Sequence, residues 1–237
     1  MDDIDAIAVL QDPVRRRLYE YVVTRGREVG RNEAAEAAGV ARTLAAHHLD
    51  KLAEAGLLET GSRRLTGRSG PGAGRPAKVY TRARTERAVS LPARDYRTAA
   101  ELLAEAAEEA GLDAGLCAAA RRRGEALRGP AAACGGLEEV MEMLAARGYE
   151  PYLEGGEDAE DVRAEADGGV AGAAARVVRM RNCPFHAVAE RFPPLVCGMN
   201  LALLEGLLGQ DGPVRARMDP RPGECCVVVE SSKNNDD

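Results

Sequence analysis

The sequence lacks the features that place a chain in a membrane or outside the cell. It contains no apolar run of about 18 residues, the length that a membrane-spanning helix needs. Its first residues, MDDIDAIAVLQDP, carry acidic side chains where a secretory signal carries basic ones ahead of an apolar stretch. We therefore expect a cytoplasmic protein with no membrane partner.

The sequence also lacks the compact motifs that name a ligand or a reaction. It has no Gly-rich phosphate loop, no paired carboxylates that would identify a ligand and no C-x-x-C metal knuckle. Its six cysteines are scattered along the chain instead. In a reducing compartment such cysteines are expected to be free thiols, metal ligands or redox sensors rather than a disulfide framework.

Charge is distributed unevenly along the chain, whose net charge is −6. Residues 1–90 hold 16 Lys or Arg against 12 Asp or Glu, whereas residues 91–237 hold 16 against 26. Residues 60–90 carry eight basic side chains and a single acid, Glu86. The first part of the chain therefore suits a partner that carries phosphates.

The apolar spacing near the start of the chain predicts three helices in close succession. They cover residues 13–25, 33–38 and 41–55, and each is followed by a glycine. The last two, joined by a short turn that contains glycine, form a helix-turn-helix unit. A strand at Leu57–Thr60, a Gly/Pro/Arg tip at residues 67–76 and a second strand at Ala77–Thr81 then predict a wing.

The third helix has an inner and an outer face. At about 100° per residue, Leu44, His48, Leu52 and Ala55 share the inner face, so we interpret His48 as a packed core histidine. The outer face is predicted to enter the major groove, with Arg42 and Thr43 at its N-terminal end. It consists of Arg42, Thr43, Ala46, His47 and Asp50.

DNA contacts are predicted for nine residues of this helix and the wing. For any single one, a merely solvated side chain is the alternative. The nine are Arg42, Thr43, Ala46, His47, Arg63, Arg64, Arg68, Arg75 and Lys78.

The segment from Val40 to Leu58, VARTLAAHHLDKLAEAGLL, resembles the recognition helix of ArsR-like regulators. The wing segment GRPAKVY (74–80) is similar to that of a subgroup containing the SufR-type repressors of iron–sulfur cluster biogenesis genes. This resemblance implies a homodimer that binds two half-sites of a double-stranded DNA operator.

The pattern of the remaining residues predicts an α+β domain, so the expected fold class of the chain is α+β. We expect a winged helix-turn-helix domain at residues 1–90. A sensor and dimerisation domain (91–230) and a disordered tail (231–237) are expected to follow it. The predicted helices are 93–110, 116–127, 137–147, 184–191 and 196–208. The predicted strands are 149–153, 175–181, 214–218 and 225–229, with turns at 155–161 and 167–172.

An apolar stripe marks the first of these helices. Ala99, Leu102, Leu103 and Ala106 lie on one side of it. The stripe fits a dimer face, and burial against its own domain explains it equally well.

Four late cysteines form the candidate sensing site. Cys183 precedes a predicted helix, where the helix dipole and free amides favour a thiolate, and His186 lies one turn further on. Cys197 opens the next helix. Cys225 and Cys226 begin a predicted strand, whose alternation sends only one of them toward a shared site. Small buried hydrophobes are the alternative interpretation.

The segment NCPFH (182–186), with Cys197 and a late cysteine, resembles the C-terminal region of the SufR-type family, in which spaced cysteines hold an iron–sulfur cluster that controls DNA binding. The resemblance implies such a cluster on Cys183, Cys197 and the Cys225–Cys226 pair. The sequence departs from it at Gln210–Asp211, where a further cysteine is expected. A fourth ligand would then be His186, Asp211, Glu205, a small thiol or nothing.

Zinc or no metal at all are the alternatives to the cluster, because thiolates suit zinc equally. Cys117 and Cys134 are predicted to be structural. We therefore predict a DNA-binding regulator, not an enzyme, whose cysteine site modulates operator binding. The alternatives are a regulator that senses thiol oxidation or an organic ligand, and a thiol enzyme fused to a DNA-binding head, with Cys183 as nucleophile and His186 as base.

Overall fold

The computed structural model of the chain describes residues 2–63, 76–130, 133–154, 176–209 and 211–232. It separates into two compact units, residues 1–94 and 95–237, which are described separately below. Residues 67–75 of the predicted wing tip, the turns at 155–161 and 167–172, and residues 233–237 of the predicted tail lie outside the described residues.

In its described residues, the first unit contains four α-helices and a small sheet. Its elements are α1 (Asp3–Ala8), a 3-10 turn (Val9–Gln11), α2 (Pro13–Arg25), β1 (Val29–Gly30), α3 (Arg31–Ala38), α4 (Arg42–Glu54), β2 (Leu58–Arg63) and β3 (Ala77–Arg82). The strands are antiparallel in the order β1-β3-β2, and β2 and β3 form the hairpin of the wing. This is a winged helix-turn-helix fold, as the sequence predicts.

Local signals fix the ends of α2. The Asp12 side chain accepts hydrogen bonds from the backbone N–H groups of Val14 and Arg15, both at 2.9 Å, and Pro13 occupies the first helical position. Gly26 ends the helix with φ at 60°, a conformation that costs a glycine little. The helix therefore covers the residues predicted for it.

The core of the first unit lies between α2, α3, α4 and the sheet. Leu18 and Val22 of α2 pack with Leu49 and Leu52 of α4 and with Tyr80 of β3, and all five side chains are buried. One detail of the prediction is wrong: Leu44 is 41% exposed, and Ala45 takes its place on the buried face of α4. The other three predicted inner-face residues, His48, Leu52 and Ala55, are buried as the spacing predicts.

The described part of the second unit combines five helices with an antiparallel sheet. Its elements are α5 (Tyr96–Glu109), α6 (Asp113–Arg128), α7 (Leu137–Ala145), β4 (Pro151–Glu154), β5 (Val177–Met180), α8 (His186–Ala189), α9 (Pro193–Leu208), β6 (Val214–Met218) and β7 (Val227–Ser231). The strand order is β4-β5-β7-β6, with every pair antiparallel. The whole chain is thus a helix-turn-helix unit followed by an α+β unit.

Helix α9 forms the centre of the second unit. Its Leu204 and Leu208 pack with Val178 of β5 and Val229 of β7 in the main core. On another side α9 lies against α6 at very short range, because Gly124 and Gly206 leave no side chain between the helices. Helix α9, which carries Cys197, is therefore held between a helix and the sheet.

Two predicted elements near the cysteines differ from the structure. The helix predicted at 184–191 contracts to α8, and Cys183 lies three residues before it. The strand predicted at 225–229 begins only at Val227, so Cys225 and Cys226 precede β7 instead of opening it.

The apolar stripe of α5 is not buried within the second unit. Ala104 and Ala107, on the adjoining side of the helix, pack against the cluster of Phe192, Leu195 and Val196. Leu102 and Leu103 of the stripe are 61% and 73% exposed, so burial against its own domain does not explain the stripe.

Candidate DNA interface and cysteine site

The outer face of α4 presents the predicted base-reading residues. Arg42, Thr43 and His47 are exposed, and Ala46 is partly exposed beside them. Ala41, at the N-cap, offers no side-chain hydrogen bond to the first turn. The exposed end of α4 therefore combines a guanidinium with the positive end of the helix dipole, both of which attract the phosphates and acceptor groups of DNA.

His48 packs on the inner face, as predicted. It is only 9% exposed, and burial lowers the pKa of its imidazole below the usual 6.5. A neutral imidazole inside the domain has no direct role in holding phosphates.

The described part of the wing contains two of the residues that the sequence predicts to contact phosphates, Arg63 and Lys78. Arg63, at the end of β2, has a largely exposed side chain whose Nη1 lies 3.9 Å from Glu28 Oε2. Lys78, on β3, forms a close ion pair instead: its Nζ lies 2.6 Å from Asp50 Oδ1. The predicted contacts Arg64, Arg68 and Arg75 lie outside the described residues.

Asp50 is the centre of a polar cluster that joins three elements. Arg31, the first residue of α3, donates through Nη2 to both Asp50 oxygens, at 2.8 and 3.1 Å. The Tyr80 hydroxyl of β3 donates to Asp50 Oδ1 at 2.7 Å and accepts from Arg31 Nε at 2.9 Å. Desolvation and the hydrogen bond to Asp50 raise the pKa of Tyr80 to about 12. Sequence reasoning missed Arg31 and Tyr80, because 49 residues separate them and no local spacing signals their contact.

The comparison with known protein families agrees with this geometry. The family described as a helix-turn-helix domain matches residues 10–61. The first unit is a helix-turn-helix domain. No curated protein and no solved structure matches the chain significantly. The match and the exposed face of α4 together indicate a DNA-binding regulator; they do not extend to the SufR-type subgroup.

Outside the helix-turn-helix domain, the four late cysteines lie together in two pairs. Cys197, in the first half of α9, forms a disulfide with Cys226. Cys183 hydrogen bonds with Cys225, the residue before Cys226. Both members of the Cys225–Cys226 pair therefore face another cysteine, where the strand prediction allows only one to do so.

The Cys225 sulfur occupies a buried site rich in hydrogen-bond donors. Asn200 Nδ2, on α9 one turn beyond Cys197, donates to it at 3.4 Å, and the backbone N–H groups of Cys226 and Val227 also donate to it. Asn200 is held in turn by the Tyr149 hydroxyl, which donates to Asn200 Oδ1 at 2.6 Å. A sulfur surrounded by donors is stabilised as a thiolate.

This arrangement reverses the expectation for Cys183. The hydrogen bond with Cys225 and burial raise the pKa of the Cys183 thiol. The same hydrogen bond, with the help of the surrounding N–H donors and against the effect of burial, lowers the pKa of Cys225 to about 7. Because α8 has only four residues and starts at His186, its dipole gives Cys183 little support.

The three candidates for a fourth metal ligand are paired with other side chains or exposed. The His186 side chain is mostly exposed, with its Nε2 3.1 Å from Glu190 Oε1. Glu205 forms an ion pair with Arg121, and Asp211 is exposed.

The remaining two cysteines lie outside the four-cysteine site. Cys134 is buried in the main core. Cys117, on α6, packs against Gly198 of α9. Burial raises the pKa of the Cys134 thiol, which suits a packed, unreactive residue.

The donor chemistry of the four-cysteine site fits a thiolate-held metal centre, although its present arrangement does not preform one. Cysteine sulfurs are the donors that iron–sulfur clusters and zinc both use. Among the described residues, however, no three His, Cys, Asp or Glu side chains are grouped so as to hold a metal ion. Cys197 and Cys226 would become ligands only after reduction of the bond between them.

Proposed function

We propose that this protein is a transcriptional regulator that binds operator DNA as a homodimer and adjusts that binding through its four-cysteine site. The observation that supports the DNA-binding part most strongly is α4, which buries Ala45, His48 and Leu49 and leaves Arg42, Thr43 and His47 exposed beside the β2–β3 wing. The second part rests on the convergence of four cysteines from three separate segments.

The DNA interface divides into reading and positioning residues. Arg42 and Thr43 lie in the first turn of α4, from which recognition helices reach base edges in the major groove. Arg63 lies in the wing, and Arg64, Arg68 and Arg75 follow it in the sequence; these side chains fit contacts to backbone phosphates, which position the protein without reading sequence. No helix in the described parts of the chain is long and apolar enough to cross a membrane.

The exposed stripe on α5 supports the proposed homodimer. Tyr96, Leu102 and Leu103 are all more than half exposed, while the adjoining side of the helix is already packed. An apolar helix face of this kind stabilises a protein when a partner covers it. A second copy of the chain would also supply the second recognition helix that a two-fold operator requires.

The proposed occupant of the four-cysteine site is an iron–sulfur cluster, held by Cys183, Cys197, Cys225 and Cys226 after reduction of the disulfide. When bound, the cluster would supply a centre whose state responds to oxidants and iron supply. The protein's own residues prepare the site: Asn200 and two backbone N–H groups stabilise a thiolate at Cys225, and Tyr149 orients Asn200. N–H donors to sulfur ligands are among the groups that tune such clusters.

The deciding experiment is the visible absorption spectrum of the protein purified without oxygen, combined with iron, sulfide and zinc analysis. We expect cluster absorbance in the wild type and its loss in Cys183→Ser. The matched control is Cys134→Ala, which removes a buried cysteine outside the site and should keep the absorbance. A colourless protein with stoichiometric zinc, or with no metal, contradicts the cluster and leaves the DNA-binding proposal in place.

A second candidate is a thiol-oxidation switch without metal, and the Cys197–Cys226 disulfide is the observation that favours it. Two thiols and one molecule of peroxide give one disulfide and two molecules of water, so the switch needs no cofactor. Its test is operator binding by metal-free protein before and after peroxide and again after a dithiol reductant. Binding that peroxide changes and the reductant restores supports the switch; unchanged binding throughout rejects it.

A further inference from the structure

Asp50 lies on the outer face of α4, in line with the DNA-reading residues, yet it carries a negative charge. Phosphates repel a carboxylate, so a recognition helix gains no DNA affinity from one at this position. The structure shows what the carboxylate does in the free protein: it binds Arg31 of α3 and Lys78 of β3 simultaneously, at 2.8 and 2.6 Å.

The two cations are accessible to a partner as well as to Asp50. The side chains of Arg31, Asp50 and Lys78 are 30%, 37% and 40% exposed, respectively. They join the first helix of the helix-turn-helix, the recognition helix and a wing strand, the three elements that border DNA in this fold. Each cation is therefore placed where it would meet a backbone phosphate if its charge were available.

Asp50 stays ionised in this environment. Burial disfavours its charge, but hydrogen bonds from Lys78 and Tyr80 and the charges of Arg31 and Lys78 outweigh burial and lower its pKa. One negative charge thus offsets part of the charge of two cations near neutral pH, and Tyr80 fixes the geometry from the core side.

We propose that Asp50 limits how tightly the helix-turn-helix domain holds DNA of any sequence, by keeping Arg31 and Lys78 away from backbone phosphates. Binding to non-operator DNA depends on the number of phosphates that the protein neutralises. A carboxylate that occupies two cations lowers this number without touching the base-reading residues Arg42 and Thr43. Asp50 is therefore a determinant of specificity that acts against unspecific binding. This inference rests on the proposed DNA-binding function.

The test compares wild type, Asp50→Asn and Glu54→Gln on a labelled duplex of about 30 base pairs with random sequence, over a series of salt concentrations. Asn keeps an oxygen that accepts from Tyr80 and Lys78 but removes the charge. Glu54→Gln is the matched control, because Glu54 lies on the same helix, loses the same charge and pairs with Lys51 rather than with Arg31 or Lys78.

We expect Asp50→Asn to bind the random duplex at least about threefold more tightly at low salt. Its plot of log affinity against log salt should be steeper by about 1 to 2, since each further phosphate neutralised contributes about 0.9 to the slope. Glu54→Gln should keep the wild-type slope. In the Asp50→Asn background, Lys78→Ala should remove about one unit of slope, whereas the same substitution in the wild type should change it little.

Several results would overturn the inference. A slope for Asp50→Asn equal to or shallower than that of the wild type rejects it, as does an equal change in Glu54→Gln, which would indicate a general charge effect. A Lys78→Ala substitution that flattens the slope in the otherwise wild-type protein rejects it even if Asp50→Asn does not fold. Wild-type protein that binds no duplex at any salt concentration rejects the proposed function itself.

Discussion

We expect His48 to make the stability of the helix-turn-helix domain depend on pH. Among the described residues its buried Nδ1 has no hydrogen-bond partner, and burial lowers the pKa of the imidazole below 6.5. The unfolded chain therefore takes up a proton near pH 6.5, whereas the folded domain takes it up only at lower pH. The neutral side chain's contribution to stability is fully present above pH 6.5 and is lost as the pH falls toward the folded-state pKa.

We expect His48→Leu to flatten the decrease in stability between about pH 7 and pH 5, because the variant has no proton to gain. The control is His47→Gln, which removes the exposed neighbouring imidazole and should keep the wild-type decrease. Thermal unfolding at a series of pH values measures the effect, and hydrogen exchange of α2 and α4 assigns it to this domain. An equally steep decrease in His48→Leu would show that other groups cause it.

Single residues near the cysteines show why their roles were hard to predict. Cys183 precedes a proline, and this local signal favours a helix start and a thiolate. The thiolate is favoured at Cys225 instead, because Asn200 and Cys183 reach its sulfur from segments 25 and 42 positions away in the chain. A single sequence gives no sign of contacts at that separation.

The crossing of α6 and α9 depends on two glycines. A Cβ atom added to Gly124 would lie 2.2 Å from the backbone oxygen of Leu203, and one added to Gly206 would lie 2.2 Å from that of Arg121. Backbone atoms cannot move aside as the end of a flexible side chain can. The helices would have to separate, and α9 carries both Cys197 and Asn200.

We expect Gly124→Ala to destabilise the second unit by about 1–3 kcal/mol or more, the usual range for overpacking a tight contact. The control is Gly115→Ala on the same helix, where a new Cβ meets nothing within 4 Å. This substitution should stabilise the helix by up to about 1 kcal/mol, because glycine loses more conformational freedom on folding than alanine. Urea unfolding of the full chain measures both, and equal effects would contradict the proposed role of the crossing.

Elements with strong end signals could be predicted from the sequence, and those without them could not. Helix α2, between Pro13 and Gly26, and strand β6, at Val214–Met218, have the predicted bounds. Helix α8 and the start of β7 differ, because tertiary contacts of the cysteines decide the backbone there. The outer face of α4 follows from helical spacing alone, whereas the Arg31–Asp50–Lys78 cluster depends on how three elements pack.

At the scale of the whole molecule, the two units differ in net charge and in exposed apolar surface. The basic excess lies in residues 1–90 and the acidic excess in residues 91–237, so phosphates attract one part of the chain and repel the other. The acidic part nevertheless exposes an apolar helix face on α5. Because the acidic unit has no net electrostatic attraction for DNA, the apolar face of α5 is better suited to contact with a second copy of the chain.

We expect Leu103→Glu on this face to convert the protein from dimer to monomer, because the substitution places a charge where apolar area is buried. Its operator affinity should fall at least about tenfold, since a monomer binds one half-site without the help of the other. The matched control is Met218→Glu, which adds the same charge at another exposed apolar residue, outside α5, and should stay dimeric. Sedimentation equilibrium measures the mass and a binding titration measures the affinity. A wild type that sediments as a monomer would contradict the homodimer. A Leu103→Glu variant that remains a dimer would place the interface outside α5. Neither outcome bears on the recognition helix.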